Sequence, residues 1–244
     1  TTNPDNPIQG EVWYNETDDV LKFQYNTVTT VGSWRSGNSL NTARYGTGAA
    51  GADNTAALIF GGKVPSVSAI TESYNGTNWT EVNDLNTARG YLGGQGTSTA
   101  GLAFGGEIPG MQTLTESWNG TNWTAVNAMN TARDGPFLAG DNTAAICAGG
   151  STEPPTVANA ELFNGTNWTE VNDINTARYN GGAAGTSTAA LIYGGSNQGG
   201  TLDAETELYN GTNWVEQNDL STSRNYIDGN GTTTSALCSG GAVP

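Results

Sequence analysis

Histidine is absent from this 244-residue chain, and only eight cations stand against 23 carboxylates. The side chains that could do chemistry are therefore few, and most of them recur. Arg44, Arg89, Arg133, Arg178 and Arg224 return at intervals of 44–46 residues, and so do Glu72, Glu116, Glu161 and Glu207. Guanidinium groups gathered on one face would hold a carboxylate or a sulfate through charge-assisted, bidentate hydrogen bonds. The same groups have an internal use: each Arg can satisfy one of the recurring glutamates, or a loop acid such as Asp84, Asp173 or Asp219. The internal use is the stronger expectation, with Glu116 as the partner of Arg133. Arg44 is expected to lack a matching Glu, because Phe23 holds that place in the first copy.

Catalytic chemistry is poorly supplied. Without His there is no imidazole base or imidazole metal ligand. Cys147 and Cys238 occupy equivalent repeat positions in non-adjacent units, too far apart to bridge, and read as small buried hydrophobes. No Gly-x-Ser-x-Gly elbow occurs, and no carboxylate pair is singled out for hydrolysis because the acids recur with the repeat. The chain reads as a non-enzyme with no cofactor and no metal. A net charge of −15 argues against a phosphate-binding surface, so nucleic acid is not an expected partner. No run of about 18 apolar residues offers membrane insertion.

The elements that position these residues follow from the period. Trp34, Trp79, Trp123, Trp168 and Trp214 keep the spacing of the arginines, so five copies of one unit fill the chain. A period of this size marks a repeat architecture whose units bury their apolar faces against each other. Each unit reads the same way after its Arg: a Gly/Ala-rich strand, a turn such as Asp53-Asn54-Thr55, and an apolar strand ending in two glycines (Gly61-Gly62). After a variable loop come a third strand with Glu72 and Tyr74, an Asn-Gly turn, and a fourth strand opened by Trp79. Asn-Gly between alternating segments is a strong hairpin signal because both residues tolerate positive φ. Four antiparallel strands per unit of about 45 residues make a propeller blade.

The segments that differ most among the copies are Lys63–Ile70, Glu107–Thr113, Ser151–Ala158 and Ser196–Ala204. Strand alternation sends them to the same face as the Arg-bearing connections. Loops not constrained by folding are where recognition commonly sits. The candidate binding face is therefore Lys63, Glu107, Glu153 and Asn197 together with Arg44, Arg89, Arg133, Arg178 and Arg224.

The diglycine, the aromatic with Glu two residues before it, the Trp and the closing Arg resemble the kelch repeat from about Tyr25 to Gly241. The expected fold is an all-β, five-bladed, kelch-like propeller spanning residues 20–244, preceded by an extension, residues 1–19, holding part of a short hairpin. The chain starts with a third-and-fourth-strand pair and ends after a second strand. Pairing of Val20–Tyr25 and the Trp34 strand with the strands of Arg224 to Gly241 would close the ring and remove free edges. The opening Pro-Ile-Gln-Gly-Glu-Val-Trp-Tyr-Asn-Glu-Thr resembles a short module of bacteriophage tail-fibre and other virion appendage proteins, which often continue into Asn-Thr-Ala-Arg and Gly-Gly repeats. That resemblance implies a non-enzymatic virion or extracellular protein that contacts a host surface glycan or protein, with other virion proteins or further copies of itself as partners. The alternatives are a secreted or surface carbohydrate- or protein-binding propeller of a bacterium, and a purely structural fibre or capsid-decoration subunit.

Overall fold

The structure, a computed structural model, describes residues 37–244 and two short strands before them. The chain divides into two compact units, Thr1–Gly37 and Asn38–Pro244. In the first, Val12–Asn15 pairs antiparallel with Val20–Phe23. In the second, four four-stranded antiparallel sheets follow one another, each with its strands in sequence order. The first blade is Gly48–Asp53, Ala56–Phe60, Thr71–Tyr74 and Trp79–Val82. The second is Gly93–Thr97, Ala100–Phe104, Thr115–Trp118 and Trp123–Val126. The third is Phe137–Gly140, Ala145–Ala148, Ala160–Phe163 and Trp168–Val171. The fourth is Gly182–Thr186, Ala189–Tyr193, Thr206–Tyr209 and Trp214–Glu216.

The fifth repeat departs from expectation. Asn225–Thr232 and Ser235–Ala242 form a sheet of two strands, so the described residues hold four complete blades, not five, and no sheet closed by the N-terminal strands. Val20–Phe23 takes Val12–Asn15 as its partner instead. Closing that hairpin joins ends only a few residues apart, whereas pairing with Ser235–Ala242 must also close a loop of some two hundred residues. The Trp34 strand of that expectation lies outside the described residues.

Core packing explains the blade sequences. The buried apolar side chains form separate clusters at the blade junctions, not one central core: Phe60, Leu85 and Leu92 with Trp123, then Phe104 and Met129 with Trp168, then Phe137 and Ile174 with Trp214. A fourth cluster joins Tyr193 to Ile227. Trp123, Trp168 and Trp214 each staple their own blade to the preceding one. The Trp123 ring lies 4.7 Å from Phe60, and its indole N–H donates to Thr71 Oγ1 at 3.1 Å; Trp168 repeats this with Phe104 and Thr115. The innermost strands are Gly/Ala-rich because neighbouring blades converge there, and a Cβ on Gly94 would strike the backbone of Ala49. The Asn-Gly turn is a four-residue loop, not the tight two-residue type. Tyr74 pairs with Trp79, only Gly76 has positive φ, and the Asn75 carboxamide accepts from the amides of Thr77 and Asn78.

Candidate functional site

The arginines are structural. Each lies at the entry to a blade and pairs with the glutamate of that blade's third strand: Arg44 with Glu72, Arg89 with Glu116 at 3.0 Å, Arg133 with Glu161 at 2.8 Å, Arg178 with Glu207 at 3.0 Å. All four side chains are fully buried. The expected pairing is thus displaced by one unit: Arg133 takes Glu161, not Glu116, and Arg44 does have a partner. Asp84 accepts from the Thr71 amide instead of an arginine. The guanidinium also donates to carbonyls, as Arg133 does to Gly149 at 2.8 Å and Asn159 at 2.6 Å. The second carboxylate oxygen of each Glu accepts from the backbone and side-chain amides of the Asn three residues before the Arg, Asn130 for Glu161. Burial pushes the Glu72 carboxyl up, but Arg44 and the amides of Asn41 and Thr42 outweigh it and hold it below the ordinary range.

The diglycines make this geometry possible. The N–H of Gly106 donates to the Arg133 carbonyl, and a Cβ on Gly105 would sit 2.6 Å from that same oxygen. Arg224 is the exception among the five. Its guanidinium donates to the Gly240 carbonyl at 3.3 Å, and no carboxylate pairs with it among the described residues.

Two residues past each Arg the chain turns through positive φ: Gly46, Tyr91, Gly135, Asn180 and Tyr226, at +62°, +50°, +53°, +58° and +53°. A chain of backbone hydrogen bonds links them from blade to blade. Tyr91 donates to Gly46, Gly135 to Tyr91, Asn180 to Gly135 and Tyr226 to Asn180. These residues form the waist between two cavities. On one side lies an axial channel of about 1040 Å³ walled by the Gly/Ala-rich inner strands. On the other opens a funnel of about 520 Å³, whose wall includes Lys63, Tyr91, Glu107, Asp134, Tyr179 and Tyr226. Bridges between Tyr45 and Lys63, Gly90 and Glu107, Asp134 and Ser151, and Tyr179 and Ser196 tie the Arg-bearing connections to the variable loops. The two sets of segments therefore share one face, as alternation of the strands implies.

Of the sequence-picked residues, Lys63, Glu107 and Glu153 line the funnel. Asn197 closes its own loop, its carboxamide accepting from Gly199 and Thr201, and its neighbour Gln198 lines the funnel instead. Arg44, Arg89, Arg133 and Arg178 lie buried beneath. Unforeseen were Tyr91, Asp134, Tyr179 and Tyr226. A signal for them existed: the two positions after each Arg read Tyr-Gly, Gly-Tyr, Asp-Gly, Tyr-Asn and Asn-Tyr, varying amid near-constant neighbours.

The funnel is electrostatically lopsided. Lys63 pairs with Glu107 and lies 4.7 Å from the centre of the Tyr91 ring; the Glu107 carboxylate raises the Lys63 pKa. On the same wall Asp134 is pushed up to about 6, first by burial and then by the charges of Glu107 and Glu153. Its Oδ1 is buried with no hydrogen-bond partner. Tyrosine faces, amides and carboxylates make a surface that can hold a polar ligand.

No protein-family profile and no curated protein matches the sequence. Among solved structures with a similar fold is one titled "Structure of YjhT". It aligns with a TM-score of 0.75 over 89% of this chain and 83% of that one, at 14% sequence identity. At that identity the likeness is one of fold, and it agrees with the blade topology: the chain is a β-propeller.

Proposed function

We propose that this chain is a non-enzymatic recognition propeller of a bacteriophage virion appendage, and that it binds a host surface glycan through the funnel. The observation that carries the reading is the funnel itself: tyrosines, amides and carboxylates converge there from the Arg-bearing connections and the variable loops, over a base of nearly invariant structure. Aromatic faces cover the apolar faces of sugar rings, and a few placed polar groups set orientation. The virion assignment is supported by the resemblance of the N-terminal Pro-Ile-Gln-Gly-Glu-Val-Trp-Tyr segment to appendage modules. The kelch type of the repeat is supported by the diglycine, Glu, Trp and Arg spacing.

One site binds weakly, and display in many copies multiplies the effective affinity by roughly 10²–10⁴. The test presents the protein as a multimer to a glycan panel and to candidate host cells, with Tyr179→Ala and Tyr226→Ala beside the parent chain. Loss of one ring face is expected to weaken each contact several-fold to about tenfold, a loss the multimer amplifies. Unchanged binding by folded variants would remove the funnel from recognition and favour the structural-subunit reading. Peptides of the chain in purified particles would test the virion assignment separately.

A further inference from the structure

The fifth repeat presents an edge that the four complete blades cover. In those blades the third strand pairs with the second in one register. Its Glu lies opposite Ile59, Ala103, Cys147 or Ile192. The aromatic two residues on lies opposite a small residue, Ala57 for Tyr74 and Gly101 for Trp118. Counted back from the diglycine, Cys238 takes the first of these places in the fifth repeat and Ala236 takes the second. Both lie on Ser235–Ala242, whose one strand partner among the described residues is Asn225–Thr232. Leu237 between them is 57% exposed, whereas Leu58 and Leu102 at the matching place are fully buried. A strand edge in this state is a template for another strand.

Charge says what that strand carries. Arg224 stands at the entry to this repeat as Arg133 stands at the entry to the third blade, where Glu161 neutralises it. Among the described residues Arg224 meets a carbonyl and no carboxylate. The sequence keeps donors for a carboxylate there: Thr222 matches Thr131, whose N–H donates to Glu161, and Ser221 matches Asn130. The third strands of the four blades are each paired on both sides, and the copy ahead of Trp34 has Phe23 where the Glu belongs. No repeat of this chain has that carboxylate to spare.

We propose that this edge is a docking site for a β-hairpin of a partner polypeptide, one whose leading strand carries a Glu two residues before an aromatic. Seated in the register of the blades, the hairpin sets its Glu opposite Cys238 and against Arg224, and its aromatic opposite Ala236. Main-chain hydrogen bonds supply the affinity of such strand addition, while the ion pair and the ring fix the register. The docking needs nothing from the funnel and is independent of the glycan reading.

The probe is a dye-labelled synthetic peptide with the sequence of residues 114–126, which holds the pattern in Glu116 and Trp118 and has its own Asn-Gly turn. Fluorescence anisotropy reads its binding to the full chain beside a second peptide with Glu116→Gln. The first peptide is expected to bind about tenfold more tightly or better than the second. It should also slow the modification of Cys238 by a thiol reagent, since it covers that strand. With an Arg224→Ala chain the two peptides should bind alike. Equal binding of the two peptides to the parent chain, or a preference that survives Arg224→Ala, would overturn the proposed pairing. If neither peptide binds and Cys238 reacts freely, the edge is no docking site. If neither binds and Cys238 is protected in the chain alone, a segment of the chain itself occupies the edge and the partner is overturned.

Discussion

The arginine knots and the funnel lie one layer apart and obey opposite rules. In the knots every carboxylate is matched by a guanidinium: Glu161 accepts from Arg133, from Asn130 and from the Thr131 amide, nearly the same bonds recur in the first, second and fourth blades, and the Nε atoms of Arg89 and Arg178 are what is left without a partner. In the funnel Asp134 keeps an unsatisfied oxygen, and Tyr91, Glu153 and Tyr226 hold a φ that L side chains seldom adopt. Non-glycine residues in that region cost of order 1 kcal/mol or more each. Copies of a unit stay alike where folding needs them alike. They diverge, and carry strain, where folding does not set the residue.

The contrast predicts its largest effect at Arg133. Arg133→Ala leaves Glu161 buried without its cation, which costs about 3–5 kcal/mol; at about 2–4 °C per kcal/mol for a chain of this size, thermal melting should show a drop of roughly 10 °C or more. Arg224→Ala should cost under about 1 kcal/mol, because among the described residues its partly buried guanidinium donates to a carbonyl and meets no carboxylate. Equal losses for the two variants would mean that Arg224 is knotted as tightly as the rest.

Asp134 should behave in the opposite sense. Its folded pKa, about 6, lies above the ordinary 3.8, so its contribution to stability is fully present below about pH 4 and is lost as pH rises through 6. Asp134→Asn removes that loss, and at pH 7 the variant should be more stable by on the order of 1–2 kcal/mol once solvent screening is allowed for. Melting curves from pH 4 to pH 8 test it: the gain should vanish toward the acid end. A variant less stable at every pH would show that Asp134 has a structural partner.

Much of this was legible in the residues and some was not. Blade strands, diglycines and stapling tryptophans are periodic, and periodicity survives without coordinates. Which Glu each Arg chooses was not legible, since the distances to the preceding and the following Glu are both nearly constant along the chain. The reach of the guanidinium to the carbonyl of the next diglycine, Arg89 to Gly105 and Arg133 to Gly149, decides it, and that is a tertiary fact. The funnel tyrosines escaped notice because they alternate between two positions, so no column of the repeat is aromatic throughout. Asn197 misled because an exposed Asn in a variable loop can as readily cap its own turn.

Tyr226 offers a smaller test of strain held for binding. Gly46 and Gly135 occupy the same turn in other units without strain, so Tyr226→Gly should be neutral or stabilising by up to about 1 kcal/mol while weakening the glycan. Denaturant melts alongside the glycan panel would show it, and a variant that is destabilised and still binds would place the tyrosine with the knots.

The smallest effect is a rate, and it asks whether the fifth repeat shares the character of the others. Cys147 lies beside the Arg133–Glu161 knot, fully buried, with its thiol pushed up to about 12 by burial. Its strand is covered on one side by Phe137–Gly140 and on the other by Ala160–Phe163. Cys238 holds the matching place beside Arg224, but it is only partly buried, and its strand pairs with Asn225–Thr232 in a sheet of two. The repeat alone predicts two equally hidden thiols. The structure predicts that a thiol reagent modifies Cys238 in the native protein and reaches Cys147 only on unfolding, since reactivity follows access and thiolate fraction. Counting thiols released before and after denaturant separates the two outcomes. If Cys238 is as protected as Cys147, a third strand covers it, the fifth blade is complete, and Arg224 must be re-examined for a buried carboxylate of its own.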